Sequence, residues 1–433
     1  MRRHAPDVEE ISVYDRMCWP EGQLEQALRT GAHQRELTAF LGPAEYAQLR
    51  SLARTGARAR ARRSLPKVYL LPGIMGSQLG YRRSHGLPPD LLWLDPTDIT
   101  HGRLAELRLG ASSLIEPLGG IAYSYLALKL RLQARGFEVV LHDYDWRADL
   151  RTQGGALAAR LRADAAPRLA LVGHSMGGLL ARIALAQTAA TDPATARRVA
   201  RVVGLGTPHE GSIAAVQALR ATYPVVFRLA AVDRRHGAEQ LSQRVFGSFP
   251  SVYQLLPAEA GGIDLFDPEA WPSRGARPQL AQLATTRGWR AQMAPADERF
   301  ASIIGTGQRT VTGLQLSRGQ FRYEISSAGD GTVATVRASV AGGRNYYLRC
   351  EHSELPRSEL VAATLIDLLT RGRTRRLPQH VFASRGRHAY VTDAEMRRSF
   401  SRKIDWHRLS TADRRRYFAR LNAPPPLYWP APR

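Results

Sequence analysis

Residues 173–177 read Gly-His-Ser-Met-Gly, a G-x-S-x-G that follows the apolar run LALV and opens the apolar segment GLLARIALAQT. A strand that turns sharply into a helix lifts a serine hydroxyl above the ends of a sheet, and crowding at the turn admits only glycine on either side. The helix N-terminus behind it favours developing negative charge. Ser175 is therefore the candidate nucleophile, and the chemistry is attack on an acyl group. A serine needs a base, and the base needs an orienting acid. Where the nucleophile sits on such an elbow, the order along the chain is Ser, acid, His. Four downstream acids are in range: Asp264, Asp267, Asp297 and Asp330. Asp330 lies in Ala-Gly-Asp-Gly-Thr-Val, a glycine-bracketed loop between strand-like stretches, and is the best perch for an acid reaching back to a histidine. His352 follows the strand pattern NYYLRCE and precedes the helix pattern LPRSELVAATLIDLL, so it belongs at the same sheet edge as Ser175. His380, His388 and His407 fall in a basic tail.

A tetrahedral oxyanion needs donors. One is the N–H after the nucleophile, at Met176. The other belongs to the loop after an early strand, Pro72-Gly73-Ile74-Met75-Gly76-Ser77, with Ile74 N–H as the choice. That loop lacks the GK[ST] ending of a phosphate cradle. Met75 and His209 are candidates for lining the substrate pocket. His174 is expected to point away from the base. No histidine pair has a third ligand at metal spacing, and no G-x-G-x-x-G opens a helix after a strand. No metal and no cofactor are expected.

These side chains need a frame. KVYLLPG (67–73), FEVVLHDYDW (137–146), RLALVG (168–173), ARVVGLGTP (200–208) and ASIIGTG (301–307) read as strands. AYSYLALKLRLQAR (122–135), GGALAARLRA (154–163) and GGLLARIALAQT (177–188) read as helices between them. The alternation predicts an α/β fold with a mostly parallel central sheet flanked by helices. Residues 211–300 break it and are expected to form a cap. GQLEQALRTG and PAEYAQLRSLAR read as two short helices, and ARTGARARARRS (53–64) as a polar linker. The expected divisions are 1–65, a core at 66–210 and 301–370, the cap at 211–300, and a basic extension at 371–433.

The 433 residues are 44% hydrophobic, which suits a sizeable core and excludes global disorder. There is no apolar run of membrane-spanning length and no secretory pattern at the N-terminus. Cys18 and Cys350 are the two cysteines, too few for a disulfide framework, so a cytoplasmic address is expected. The formal charge is +23, and 371–433 carry 16 basic against 4 acidic residues. An arginine-rich face attracts polyanions. Arg373, Arg375, Arg376, Arg385, Arg387, Arg397, Arg398, Arg402, Arg414, Arg415 and Arg416 suggest weak, salt-sensitive contact with anionic membrane. Nucleic acid is not expected, because no known module surrounds them.

Several segments together resemble the lecithin:cholesterol acyltransferase family of α/β-hydrolases, which includes lysosomal phospholipase A2 and related bacterial lipases. They are LLPGIMGSQL (70–79), WLDP (93–96), YDWR (144–147), LVGHSMGGLLAR (171–182), GTPHEGS (206–212), FPSVYQLLP (249–257), GDGTV (329–333) and the His352 loop. The resemblance implies an α/β-hydrolase fold with a lid, a Ser175–His352–Asp330 triad, oxyanion donors at Ile74 and Met176, and acyl-lipid substrates. It implies a lipid-contacting role for Trp93 and a bracing role for YDWR. Secreted relatives carry a disulfide near WLDP, where this chain has no cysteine. The expected function is a serine-dependent lipid acyl hydrolase or O-acyltransferase. The alternative, from another class, is a basic binding protein that uses a hydrolase core as scaffold.

Overall fold

Runs that are apolar at every position suit strands buried on both faces, and the middle of the chain has several. In the computed structural model, residues 21–59, 64–83, 89–381, 388–398, 404, 408–409 and 417 are described. Helices α1 (Glu21–Thr30), α2 (Gln34–Leu41) and α3 (Pro43–Arg58) precede strand β1 (Lys67–Leu71). Then come β2 (Ser77–Tyr81), β3 (Asp90–Trp93), β4 (Ile115–Gly120), α4 (Ala122–Gln133) and β5 (Val139–Leu141). They are followed by α5 (Leu150–Ala163), β6 (Leu169–His174), α6 (Met176–Thr191) and β7 (Val199–Leu205). Five α-helices lie between Ile213 and Thr286, before β8 (Phe300–Thr306). The remainder holds β9 (Thr310–Ser317), β10 (Gln320–Ser326), β11 (Arg344–Arg349), α7 (Glu359–Arg371), β12 (Ala389–Thr392) and α8 (Asp393–Arg398).

Six strands form one parallel sheet in the order β11-β8-β7-β6-β1-β5. Successive strand residues point to opposite faces. Val68, Leu70, Ala170 and Val172 pack on one side against Leu128 and Leu132 of α4 and Leu365 and Leu368 of α7. Tyr69, Leu71, Leu169 and Leu171 pack on the other against Leu157 of α5 and Leu179 and Ile183 of α6. Helices on both faces of a parallel sheet, with the G-x-S-x-G at the β6–α6 turn, make this an α/β-hydrolase fold.

Helix α4 is also apolar on its outer face, where Ala122, Leu126 and Leu130 meet Leu24, Leu28, Leu49 and Ala53 of the N-terminal helices. Its buried Lys129 is neutralised by Glu21 and by Glu25 at 3.0 Å. No described helix is long and apolar enough to cross a membrane.

The structure differs from the sequence reading in several places, among them a third N-terminal helix, α2, between the two expected. Helix α3 continues through Ala53 to Arg58, so the first half of the expected linker is helical: alanine and arginine are good helix formers, and Ala53 is buried. The strand expected over 137–146 is confined to Val139–Leu141, because Asp143–Trp146 leave the sheet. Two antiparallel sheets, β3-β2-β4 and β9-β10-β12, had no counterpart among the expected elements. The second of them takes its edge strand from the basic extension, which packs on the core at 389–398. Cys18, His407, Arg385, Arg387, Arg402 and Arg414–Arg416 lie outside the described residues.

Candidate active site

Ser175 joins β6 to α6 with φ 53° and ψ −126°, a conformation strained for any residue bearing a Cβ. Its neighbours explain the glycines. A Cβ at Gly173 would lie 2.2 Å from Gly178 N, and one at Gly177 2.2 Å from the Leu71 carbonyl. The turn is fixed from below by Ser175 N–H, which donates to Leu205 O at 2.9 Å.

Asp330 and His352 come together from two loops at the same end of the sheet. His352 Nδ1 is 2.6 Å from Asp330 Oδ2, and His352 N–H donates to Asp330 O at 2.8 Å. The other carboxylate oxygen accepts from Thr332 N–H at 3.0 Å and Val333 N–H at 2.7 Å. The acid is thus held by donors on both oxygens and is 2% exposed. With the proton on Nδ1, the Nε2 of His352 is left as the basic nitrogen. Gly206 makes room for the pair, since a Cβ there would lie 3.0 Å from both Asp330 Oδ2 and His352 Nδ1. Asp264 instead pairs with Arg287 at 2.9 Å and Asp297 with Arg299 at 2.6 Å, and Asp267 caps Glu269 N–H at 3.0 Å.

The Pro72–Ser77 loop lies against the elbow: a Cβ on Gly73 would be 2.9 Å from Ser175 Cβ. Aromatic side chains brace it almost residue by residue. Tyr144 OH donates to Pro72 O at 2.8 Å, and Gly73 N–H donates to Tyr125 OH at 2.9 Å. Trp93 Nε1–H donates to Met75 O at 2.9 Å, and Trp146 Nε1–H to Ser77 O at 2.9 Å. Ile121 N–H closes on Gly76 O at 2.9 Å. Among the described residues, Ile74 is the loop member whose main chain takes no part in this bracing. Met176 is the first residue of α6, where an amide has no intrahelical acceptor. The two amides expected to donate to an oxyanion, those of Ile74 and Met176, thus flank the Ser175 elbow without a part in the loop bracing or the helix ladder.

Trp93, given a lipid contact by resemblance, is 2% exposed and packs edge-on against Trp146, with ring centroids 5.3 Å apart. It braces the loop. Met75 stands beside it at φ 63°, half-buried. His209 is buried between Ser302 Oγ at 3.1 Å and Arg182 at 3.4 Å, away from open space. Burial and the nearby guanidinium push its pKa down to about 3. His174, expected to point away from the base, has its ring centroid 4.9 Å from that of His352. Trp93, Tyr125 and Tyr144 carry the loop, and only the pattern YDWR hinted at any of this.

The sequence profile of lecithin:cholesterol acyltransferase matches residues 134–361, just over half of the chain. The chain belongs to the lecithin:cholesterol acyltransferase family. That places it among esterases and acyltransferases acting on lipid esters. The matched span contains Ser175, Asp330 and His352 but neither the Pro72–Ser77 loop nor the two ends of the chain. No curated protein matches the chain. Similar solved structures include Bacillus licheniformis lipase BlEst2 in its mature form, 16% identical with a TM-score of 0.38 over 72% of this chain and 94% of that one. Its propeptide form is 15% identical, TM-score 0.41, over 75% and 54%. The Tle4–Tli4 complex is 14% identical, TM-score 0.38, over 56% and 74%.

Proposed function

We propose that this family member is a serine-dependent lipid acyl hydrolase or O-acyltransferase. The observation that carries the reading is the Asp330–His352 pair, 2.6 Å apart, packed against Gly206 and joined to the Ser175 elbow through His174. In this mechanism His352 Nε2 takes the Ser175 Oγ proton as the oxygen attacks the ester carbonyl carbon. The C=O electrons move onto oxygen, which Ile74 and Met176 N–H stabilise. Collapse expels the alcohol, which takes its proton from His352, and leaves acyl-Ser175. Water or a second alcohol repeats the sequence in reverse, giving a free acid or a new ester. The buried acid keeps the imidazole in the required tautomer and offsets its charge.

The same reading gives 211–300 the role of a cap over the acyl group. It gives the exposed Arg371, Arg373, Arg375 and Arg376 a weak hold on anionic lipid, up to about 1 kcal/mol for each residue that reaches the surface. Cys350 is a free thiol, so the reading fits a reducing, cytoplasmic setting.

A fluorophosphonate probe should label the parent protein and fail to label Ser175→Ala. Incubation with a lipid extract, with and without added alcohols, followed by mass spectrometry, separates hydrolysis from transfer. Labelling or turnover that persists in Ser175→Ala refutes the nucleophile.

A further inference from the structure

Away from Ser175, three guanidinium groups gather around the loop 206–211. Arg182 on α6 donates from Nε to Ala294 O at 3.0 Å and has Nη1 3.4 Å from His209 Nδ1. Arg337, on the one-turn helix after the Asp330 loop, donates to Glu210 O and to Glu259 O, each at 3.1 Å. Glu210 N–H returns a bond to Arg337 O at 3.1 Å. Arg290 donates to Gln254 O at 3.0 Å and sits over the Trp289 ring, 5.3 Å from its centroid.

Their partners are main-chain carbonyls and one imidazole. Several other partly or fully buried arginines meet a carboxylate: Arg147 with Asp145 at 2.8 Å, Arg220 with Asp393 at 2.6 Å, Arg299 with Asp297 at 2.6 Å. Arg198 and Arg201, around the start of β7, also donate to main-chain carbonyls. The Nε atoms of Arg290 and Arg337 are buried and, among the described residues, have no acceptor. The carboxylates in range are Glu210 and Glu259, both exposed. Burial pushes all three guanidinium pKa values down. Arg290 reaches about 10, with Arg337 and Arg182 adding repulsion. Clustered, partly desolvated cations are stabilised by a multivalent oxyanion that accepts from several forks at once.

We propose that Arg182, Arg290 and Arg337 form a binding site for a phosphate-class oxoanion beside the loop 206–211. The site is separate from the ester chemistry and stands or falls apart from it. A tetrahedral phosphate accepts in several directions, as groups arriving from three elements require. Its source is either inorganic phosphate or the phosphodiester of a lipid headgroup. Occupancy ties α6, the 206–211 loop and the Arg337 helix together, and Gly206 at one end of that loop is the residue that seats Asp330 and His352.

The test is thermal unfolding of the full chain, titrated with potassium phosphate, with glycerophosphocholine, and with potassium chloride at matched ionic strength. Phosphate is expected to raise the midpoint by a few degrees with saturation in the millimolar range, and chloride to leave it unchanged. A comparable rise with glycerophosphocholine identifies the headgroup as the source, and its absence identifies the free anion. Arg290→Gln and Arg337→Gln should each weaken the apparent phosphate affinity at least tenfold, and Arg162→Gln, a solvent-exposed control on α5, should not. Arg337→Lys, which keeps the charge and loses the fork, covers the case of a variant that does not fold, and should bind more weakly than the parent. The proposal is overturned if phosphate and chloride act alike on the parent, or if folded Arg290 and Arg337 variants respond as the parent does.

Discussion

His174 Nε2 lies 3.0 Å from the main-chain carbonyl of His352, so the residue before the candidate nucleophile holds the backbone of the candidate base. On its other side, His174 Nδ1 is 3.0 Å from Tyr125 OH, and that hydroxyl accepts from Gly73 N–H. One chain of hydrogen bonds thus runs from the candidate oxyanion loop to the candidate base. It requires a neutral His174 with its proton on Nε2. Burial, with repulsion from His352, supplies this by pushing the His174 pKa down to about 3. His174→Phe should lower kcat roughly 10- to 100-fold with KM little changed, the scale expected when a reacting group is displaced by about an ångström. His174→Gln keeps a donor near the Nε2 position and should recover much of the loss. A His174→Phe enzyme with parental kcat would show that the chain does not position the base.

Stability should fall as the protein is acidified from pH 6.5. His174 and His209 are held near pKa 3, and His142 near 4, mainly by burial, against 6.5 when unfolded. Between those limits the unfolded chain binds protons that the folded chain does not. Stability is therefore complete above about pH 6.5 and drops below it, by at most about 1.4 kcal/mol per pH unit for each group. Urea midpoints at pH 7 and pH 5 measure this. His209→Gln should flatten the dependence, and equal midpoints in the parent would contradict it.

How far the site was legible depended on whether its parts are local. The elbow is contiguous, so G-x-S-x-G between an apolar strand and an apolar helix announces itself. Asp330 and His352 are separated along the chain, yet each sits on a loop with a recognisable bracket, glycines for one and a strand-to-helix change for the other. The braces are different. Trp93, Tyr125 and Tyr144 act through hydrogen bonds to carbonyl or amide groups 18, 52 and 72 residues away, and nothing in their local sequence marks which group they meet. The lipid contact given to Trp93 comes from the resemblance alone, and the sequence around a lone aromatic does not tell whether it is exposed. The antiparallel sheet β9-β10-β12 was illegible for a related reason: its edge strand follows a stretch whose arginine content suggested a solvated tail.

The brace on the oxyanion loop can be tested one hydrogen bond at a time. Trp93→Phe keeps most of the edge contact with Trp146 and removes the donor to Met75 O. The neighbouring Ile74 amide should then be less well aimed. Turnover is expected to fall on the order of 10-fold, less than the roughly 10²–10³ typical of deleting an oxyanion donor outright. Comparing kcat with the thermal midpoint distinguishes the roles: a purely structural brace would lower the midpoint and leave kcat untouched.

The basic extension is clamped to the core through one buried ion pair, and this bears on how its proposed lipid contact can be examined. Asp393, at the start of α8, receives Arg220 Nε at 3.1 Å and Nη2 at 2.6 Å on one oxygen, and Tyr323 OH at 2.7 Å on the other. Both charged partners are almost fully buried. Arg220 spends its remaining donors on Ala276 O, Pro272 O and Arg274 O, which fastens the 272–276 turn as well. Removing one charge leaves the other buried and uncompensated, so Asp393→Ala should cost about 3–5 kcal/mol. Replacing both, as in Arg220→Met with Asp393→Leu, removes the desolvation penalty along with the attraction and should cost much less than the sum of the single changes. Urea unfolding of the two single variants and the double variant tests the coupling, and additive losses would mean that the pair does not act as a clasp. Because β12 pairs with β10, truncating the chain at 370 would bare the β10 edge and remove the clasp together with the arginines. The lipid contact is better probed by Arg373→Gln, Arg375→Gln and Arg376→Gln combined in the intact chain. That variant should keep the parental unfolding midpoint while losing salt-sensitive co-sedimentation with anionic vesicles, and unchanged co-sedimentation would remove these arginines from the membrane contact.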